Sequence, residues 1–518
     1  MKKIDASRRL FLRHAGALST LGAAGAPLAL NLSALGTAAA QTAADYKAIV
    51  CIFLFGGNDS INMVLPTDST SFTNYTTLRS QAPDSIALLA PGTALNGTSA
   101  TGSPARLGGV LPITPTNAQG RSFALHPAMG ALQTMFNTDR RLAILPNVGP
   151  LILPTTKAQY SQSSHRKPAS LFSHNDQQNT WQSFLPEGAT VGWGGRMGDL
   201  LASMNSRTVF TSITAGGNAV WLSGQDVRQY QVTNSGAIRL GTNAAGQVYG
   251  SAAVGAAMER IVQTTRGGHL LETDLSAVSA RSMQAESLLR NALKPASDPL
   301  FGTTPAAGTT YNATNDPKLR YTDPNNPATT VANSLAQQLQ IVARMIEASS
   351  NTSIGAKRQV FFVSLGGFDT HDAQNNNHAQ LMARLSHAMR YFDDTLGALG
   401  AREKVTTFTA SDFGRTFTSN GDGTDHGWGA HHFVMGGAVR GGDLYGSFPV
   451  YGVKNANNNN FDSSPDQLGN GSLLPTTSVD QLGATLGRWF GLNDAQLLDV
   501  FPNLSNFSTR DLGFMNPA

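Results

Sequence analysis

Aspartate and histidine recur in four short stretches of this chain, and in three of them the stretch follows an apolar run. The stretches are Gly56-Gly57-Asn58-Asp59-Ser60-Ile61-Asn62, Gly366-Gly367-Phe368-Asp369-Thr370-His371, Ser411-Asp412-Phe413-Gly414-Arg415 and Asp425-His426-Gly427-Trp428-Gly429-Ala430-His431-His432. Six of the eleven histidines fall between residues 371 and 432. Carboxylate and imidazole together are ligands for borderline and hard divalent metals such as Zn²⁺ or Mn²⁺. Two such ions about 4 Å apart can clamp the attacking and leaving oxygens of an ester transfer. Arg415 is suited to bidentate contact with a phosphate or sulfate, and the paired glycines permit close backbone approach. Each stretch also has a plain local use. Gly-Gly-Asn-Asp is a turn signal, Asp369 can cap a following helix, and adjacent His431 and His432 in a strand face opposite ways, so at most one enters a given site.

Elements able to position these groups are visible in the hydrophobic pattern. Ala48 to Phe55 is a continuous apolar run closed by Gly-Gly, as in a strand buried on both faces. Further strands are predicted over 142–148, 207–213, 359–365, 405–410 and 433–435. Leu381, Leu385, Met389, Phe392, Leu396 and Leu399 keep helical spacing between two of these, which makes a βαβ unit with a right-handed crossover. The fold class is therefore α/β. In open α/β sheets ligands bind beyond the carboxyl ends of the strands, where the polar stretches fall. The middle of the chain differs, with helices expected over 252–261 and 270–293, a Pro/Asn/Thr/Gly-rich loop over 295–330, and helical periodicity from Val331 to Ile346. The expectation is one α/β domain over 41–518 with a helical, loop-rich insertion or lid at about 214–330.

The first forty residues read as an export signal. Ser7-Arg8-Arg9-Leu10-Phe11-Leu12-Arg13 resembles the twin-arginine consensus, a weakly apolar stretch follows, and Ala38-Ala39-Ala40 supplies a small-residue cleavage site. This segment holds five basic residues against Asp5, a net of +4 that equals the formal charge of the whole chain. The remainder is near neutral, so the basic character argues for no nucleic-acid partner. No later apolar run is long enough to span a bilayer. The twin-arginine translocase is the expected partner during export, and the periplasm or exterior the destination. The single cysteine, Cys51, lies in an apolar run and reads as a buried, inert thiol.

The ordered set of segments carries a resemblance. Phe53–Asn62, Phe123–Met129, Phe172–Gln182, Gly367–His371, Ser411–Thr416 and Asp425–His432 together resemble the domain-of-unknown-function 1501 family over nearly the whole chain beyond the signal. That family is distantly similar to the alkaline phosphatase and sulfatase superfamily. The resemblance implies a three-layer sandwich with a mostly parallel central sheet and a two-metal hydrolytic site. Carried onto this sequence, it implies metal-ligand roles for Asp59, Asp369, His371 and Asp412, with His426 or His431 as the last histidine ligand. Phe413 stands where the superfamily signature has histidine, and the Cys/Ser-x-Pro-x-Arg nucleophile pattern is absent. Ser173, beside His174, is the nearest nucleophile candidate.

These features point to an exported metal-dependent hydrolase of phosphate, sulfate or related esters, small or polymeric, with Arg415 orienting the anion. The alternative is a non-catalytic binding or assembly protein with a degenerate site. No Gly-x-Ser-x-Gly elbow supports a serine esterase, and no Gly-x-Gly-x-x-Gly supports dinucleotide binding.

Overall fold

A computed structural model describes residues 46–237, 243, 247–264 and 270–516. Residues 1–45, which include the expected export signal, lie outside the described residues, and Lys47–Ala518 forms one compact unit. Its centre is a nine-stranded sheet. In chain order the strands are β1 (Lys47–Phe55), β2 (Leu142–Gly149), β3 (Ser212–Thr214), β4 (Tyr230–Thr233), β5 (Gly236–Ala237), β6 (Arg358–Gly366), β7 (Val405–Ser411), β8 (Ala430–Met435) and β9 (Thr477–Ser478). They lie in the order β9-β2-β8-β7-β1-β6-β3-β4-β5.

The apolar run at the start of β1 takes the central place because both of its faces are covered. Ile49, Cys51 and Phe53 pack with Trp181, Trp193, Phe362 and Phe408 on one side, while Ala48, Val50, Ile52 and Leu54 turn to the other and are equally buried. Helices Ser334–Ala348 and Gln374–Ala398 pack together. Helices His174–Ser183, Trp193–Leu201 and Val479–Phe490 supply aromatic and aliphatic side chains to the cluster around Trp193. The result is a mostly parallel sheet with helices around it. Cys51 is buried and unpaired, and burial pushes its thiol well up.

Two details of topology position the polar stretches. β6 and β7 both pair in parallel with β1, one on each side, so the unit from β6 through the helix to β7 steps over β1. β8 runs against both of its neighbours. A reversed strand brings its amino end to the rim where parallel strands end. His426 reaches the site by this inversion.

Some local expectations shift. The predicted strand at 207–213 is a turn of 3₁₀ helix at Thr208–Phe210 followed by the short β3, because only Ser212–Thr214 meets the β6 edge. Val331 belongs to a strand (Asn326–Ala332) that pairs with Arg320–Asp323, so the helix starts later, at Ser334. Asn333 caps it by accepting from the Leu335 and Ala336 N–H groups.

Asp480, in the first turn of helix Val479–Phe490, offers a pH test of the packing. It is buried, accepts from the Asn503 backbone N–H at 3.0 Å, and burial pushes its carboxyl up to about 7. A folded pKa above the unfolded value means that the native state keeps a proton the unfolded chain has lost, so stability falls as pH rises between the two values. Asp480→Asn is expected to be nearly neutral at pH 3 and stabilising at pH 8, on the order of 4 kcal/mol from the gap between the two values. Thermal unfolding at the two pH values checks it, and equal effects at both would rule the titration out.

Candidate metal centre

The carboxyl ends of β1, β6 and β7 are held edge to edge by register. Phe55 pairs with Gly366 and Leu54 with Ser411. Gly56 then turns with φ +113°, and a Cβ there would lie 2.4 Å from the Asp369 nitrogen. Only glycine allows that contact. Gly57, at φ +81°, lies against the Phe413 ring in the same way.

Beyond this rim three imidazoles converge on one carboxylate. His174 Nε2 lies 3.5 Å from Asp369 Oδ2, and His426 Nε2 lies 3.4 Å from Asp369 Oδ1. His371 Nε2 is 3.1 Å from Asp369 Oδ1 and 3.0 Å from His426 Nε2. One ligand atom from each of His174, Asp369 and His426 fits within 4.8 Å of the others.

The tautomers follow from what the other ring nitrogens touch. His174 Nδ1 is 2.7 Å from Asp412 Oδ2, and His426 Nδ1 is 2.7 Å from the Phe172 carbonyl. Both oxygens only accept, so each Nδ1 carries the proton and donates. In the neutral rings each Nε2 therefore presents a lone pair toward Asp369. His371 Nδ1 faces Asp425 Oδ1 at 3.3 Å in the same sense. Anchoring one ring nitrogen on an oxygen acceptor while the other points at a shared centre is how metal-ligating histidines are held.

The residues fit a metal ion on two further counts. His174 Nε2 is buried without a hydrogen-bond partner, a costly state for an imidazole nitrogen. For bonds of 2.0–2.1 Å to a tetrahedral ion, ligand atoms stand about 3.3 Å apart, close to the 3.0–3.5 Å separations seen here.

Charge around the cluster is shaped by its neighbours. Asp369 would be raised by burial, but the Arg415 guanidinium and the nearby His174 and His371 rings outweigh this and hold its carboxyl below the usual range. The hydrogen bond to Asp412 raises His174 against the opposing effect of burial. Burial lowers His426, with the charges of Arg415 and His174 adding to it and the Phe172 carbonyl opposing. Arg415 is itself buried, and desolvation lowers it even though Nη1 donates to Asp369 Oδ1 at 2.9 Å. Its Nε and Nη2 have no partner. The Phe413 ring lies tilted beside both His174 and His426, at 4.8 and 4.6 Å between centroids.

Of the sequence candidates, the structure brings together His174, Asp369, His371, His426, Asp412 and Arg415. Asp412 acts through His174. Its Oδ2 receives His174 Nδ1, Gln178 Nε2 at 2.9 Å and the Gly56 backbone N–H at 3.2 Å. Asp412→Asn is expected to lower metal affinity about 10–100-fold, read by competition with a chelating dye, and full retention of affinity would contradict the orienting role.

Asp59 is not in the cluster. Its two oxygens are taken by Arg79, through Nη1 at 2.5 Å and Nη2 at 3.0 Å, and by Gln374 Nε2 at 2.5 Å. A guanidinium thus sits where the resemblance implied a cation. His431 is apart as well. It is buried in β8, its Nδ1 accepts from the Asn147 N–H, and its Nε2 meets the Tyr451 hydroxyl. Burial pushes it and His432, which faces Thr409, to about 3, so both are neutral. Ser173 occupies the N-cap position of helix His174–Ser183 without a side-chain capping bond. No hydrogen bond joins it to His174, so a Ser–His nucleophile pair is not formed. Sequence reasoning overlooked Gln178, although its i,i+4 spacing from His174 puts the two on one helix face. It also overlooked Arg79 and Gln374, which reach Asp59 only through tertiary contact.

No curated protein matches the sequence. Among solved structures, Ps i-CgsB in complex with k-i-k-neocarrahexaose is 8% identical, with 89% of this chain and 77% of that one covered and a TM-score of 0.33. A chain from Bacteroides thetaiotaomicron, described with the metabolism of multiple glycosaminoglycans, is 11% identical, with 87% and 74% covered and a TM-score of 0.32. Alkaline phosphatase from the Antarctic bacterium TAB5 is 8% identical, with 76% and 91% covered and a TM-score of 0.25. A family model described as protein of unknown function (DUF1501) matches residues 46–501. The chain belongs to the DUF1501 family.

Proposed function

We propose that this chain is an exported metal-dependent hydrolase of phosphate, sulfate or related esters. The supporting observation is the convergence of His174, His371 and His426 Nε2 on Asp369, with the His174 and His426 Nδ1–H groups anchored on Asp412 and Phe172. A donor set of two imidazoles and one carboxylate (His174, His426 and Asp369), which leaves a coordination position open, suits Zn²⁺ better than Mn²⁺, which favours oxygen. Bound there, the ion would supply Lewis-acid polarisation of an ester oxygen and of water. Arg415 holds Asp369 in place through Nη1, and its buried guanidinium, with Nε and Nη2 unpartnered, adds positive charge that would favour an oxyanion bound beside Asp369. The Phe413 ring keeps one side of the cluster apolar, which strengthens electrostatic contacts beside it. His371 and Asp425 are exposed, so this pair is placed to pass a proton to or from solvent.

Purified residues 41–518 are to be assayed on p-nitrophenyl phosphate and sulfate with Zn²⁺, Mn²⁺ and chelator. Turnover that chelator removes and Zn²⁺ restores is expected; metal binding without turnover on any ester favours the second reading. That reading, a binding or assembly protein with a degenerate site, draws on Asp59 being held by Arg79 and on Phe413 standing beside the imidazoles. The export proposal rests on Ser7–Arg13. Changing Arg8 and Arg9 to lysine should retain the chain in the cytoplasm, and unchanged export would overturn it.

A further inference from the structure

A cavity of about 790 Å³ opens elsewhere on the molecule, between the Thr233–Ser235 turn, the Thr310–Thr314 loop and the helix Ser334–Ala348. Thr233, Asn234, Ser235, Asn312, Thr314 and Gln337 line it with hydroxyls and amides, and among the described residues no carboxylate lines it. Among the described residues Arg344 is the one charged member of the lining, and it is only 6% exposed.

Among the described residues this guanidinium has no counter-ion. Its Nε donates to the Lys294 carbonyl at 2.8 Å, while Nη1 is buried with no partner. The charged groups around it are committed elsewhere. Lys294 Nζ pairs with Glu347 at 2.8 Å. Asp316 accepts from the Thr303 backbone and hydroxyl, the Lys318 backbone and the Tyr311 hydroxyl, all within 2.9 Å. Among the described residues no carboxylate stands within ion-pair distance of Arg344. Burial lowers its pKa accordingly, with only the Tyr311 and Tyr391 phenols opposing. A buried charge without a partner is strongly unfavourable, whereas a guanidinium and an oxyanion make paired, charge-assisted hydrogen bonds.

We infer that this cavity is an anion-binding site, separate from the metal centre, in which Arg344 takes the oxyanion (carboxylate, sulfate or phosphate) of a hydroxyl-rich ligand such as an acidic saccharide. The volume lies in the range that holds small organic ligands. The amide and hydroxyl lining offers both donors and acceptors to sugar hydroxyls, and the absence of carboxylates there leaves the anion unopposed. The site does not depend on the metal centre or on any hydrolytic activity.

The test uses residues 41–518 in excess chelator at constant ionic strength, so that the metal centre contributes nothing. Sodium sulfate, sodium phosphate, sodium glucuronate and neutral methyl glucoside are titrated, with binding followed by calorimetry and thermal shift. Glucuronate or the inorganic anions should bind and raise Tm, and methyl glucoside should bind at least tenfold more weakly than glucuronate. Glucuronate binding tighter than sulfate and phosphate identifies an acidic saccharide; equal affinity identifies a free oxyanion. Arg344→Met should weaken anion binding at least tenfold while the ligand-free protein stays folded. Asn234→Ala, which keeps the guanidinium, should weaken glucuronate more than sulfate. The inference is overturned if no anion binds wild-type protein, if methyl glucoside binds as well as glucuronate, or if Arg344→Met binds anions with unchanged affinity. Should Arg344→Met fail to fold, unchanged glucuronate affinity in Asn234→Ala and Thr314→Val together overturns it.

Discussion

Asp369→Ala abolishes the metal response of residues 41–518: this is the largest functional loss expected of any single substitution in the chain. Asp369 is the one group that all three imidazoles approach, at 3.1 to 3.5 Å. Wild-type protein at metal concentrations 100-fold above Kd gains about 2.7 kcal/mol of stability by mass action. Asp369→Ala is expected to show none of this gain, and direct metal analysis of the dialysed variant should find less than a tenth of the wild-type content. Acid should have the same effect on wild type. The Asp412 hydrogen bond raises His174, so His174 holds a proton to higher pH than a free histidine. Metal must displace that proton, and affinity therefore falls as pH falls. A wild-type chain whose metal-dependent Tm shift survives in Asp369→Ala would remove the centre from consideration.

Arg79→Met is expected to be the most destabilising change, at about 3–5 kcal/mol, because it strips the partner from a fully buried carboxylate. Arg79 has five N–H groups and uses them all: two on Asp59, one on Asn62 Oδ1 at 2.9 Å, and one each on the Phe417 and Thr416 carbonyls at 3.1 and 3.0 Å. The network extends through Gln374 to the Thr370 and Thr424 hydroxyls. It therefore ties the end of β1 to the loops that carry His371 and His426. Burial alone would raise Asp59, but the charge and hydrogen bonds of Arg79 outweigh it and leave its carboxyl below the ordinary value. A depressed folded pKa contributes stability that is present above the unfolded value and is lost as pH falls through the folded one. Arg79→Met should accordingly lose most against wild type at neutral pH and least in acid. Urea unfolding at pH 7 and at pH 2, below the ordinary carboxylate range, measures both. The double variant Asp59→Asn/Arg79→Met should lose less than the sum of the single variants, because neither charge is stranded. Asp59→Asn should leave the number of bound metal ions unchanged. A drop in that number would restore Asp59 as a ligand.

The Asp59–Arg79 pair and the His174–Asp412 pair separate what was legible in the sequence from what was not. The strand ending at Phe55, the Gly56-Gly57 turn, the long helix ending at Ala398 and the Asp/His stretches at 369–371 and 425–426 are local patterns. Alternation, spacing and glycine requirements act over a few residues, so the sequence alone determined an α/β sheet with acids and imidazoles beyond its strand ends. It also determined that the first forty residues carry a net charge of +4, equal to that of the whole chain. Which of those acids and imidazoles meet was decided by tertiary structure. β8 had to run backwards for His426 to reach the rim, and strand direction is set by pairing with β7 and with β2, the latter far away in sequence. His426 and His431 are five residues apart in similar local sequence. One faces Asp369 and the other is buried against Asn147 and Tyr451, because the second lies inside the reversed strand. Asp59 carries the same side chain as Asp369, yet a guanidinium twenty residues on holds it. A carboxylate's role follows from the charge that faces it across the fold, and that charge has no signature in its own neighbourhood.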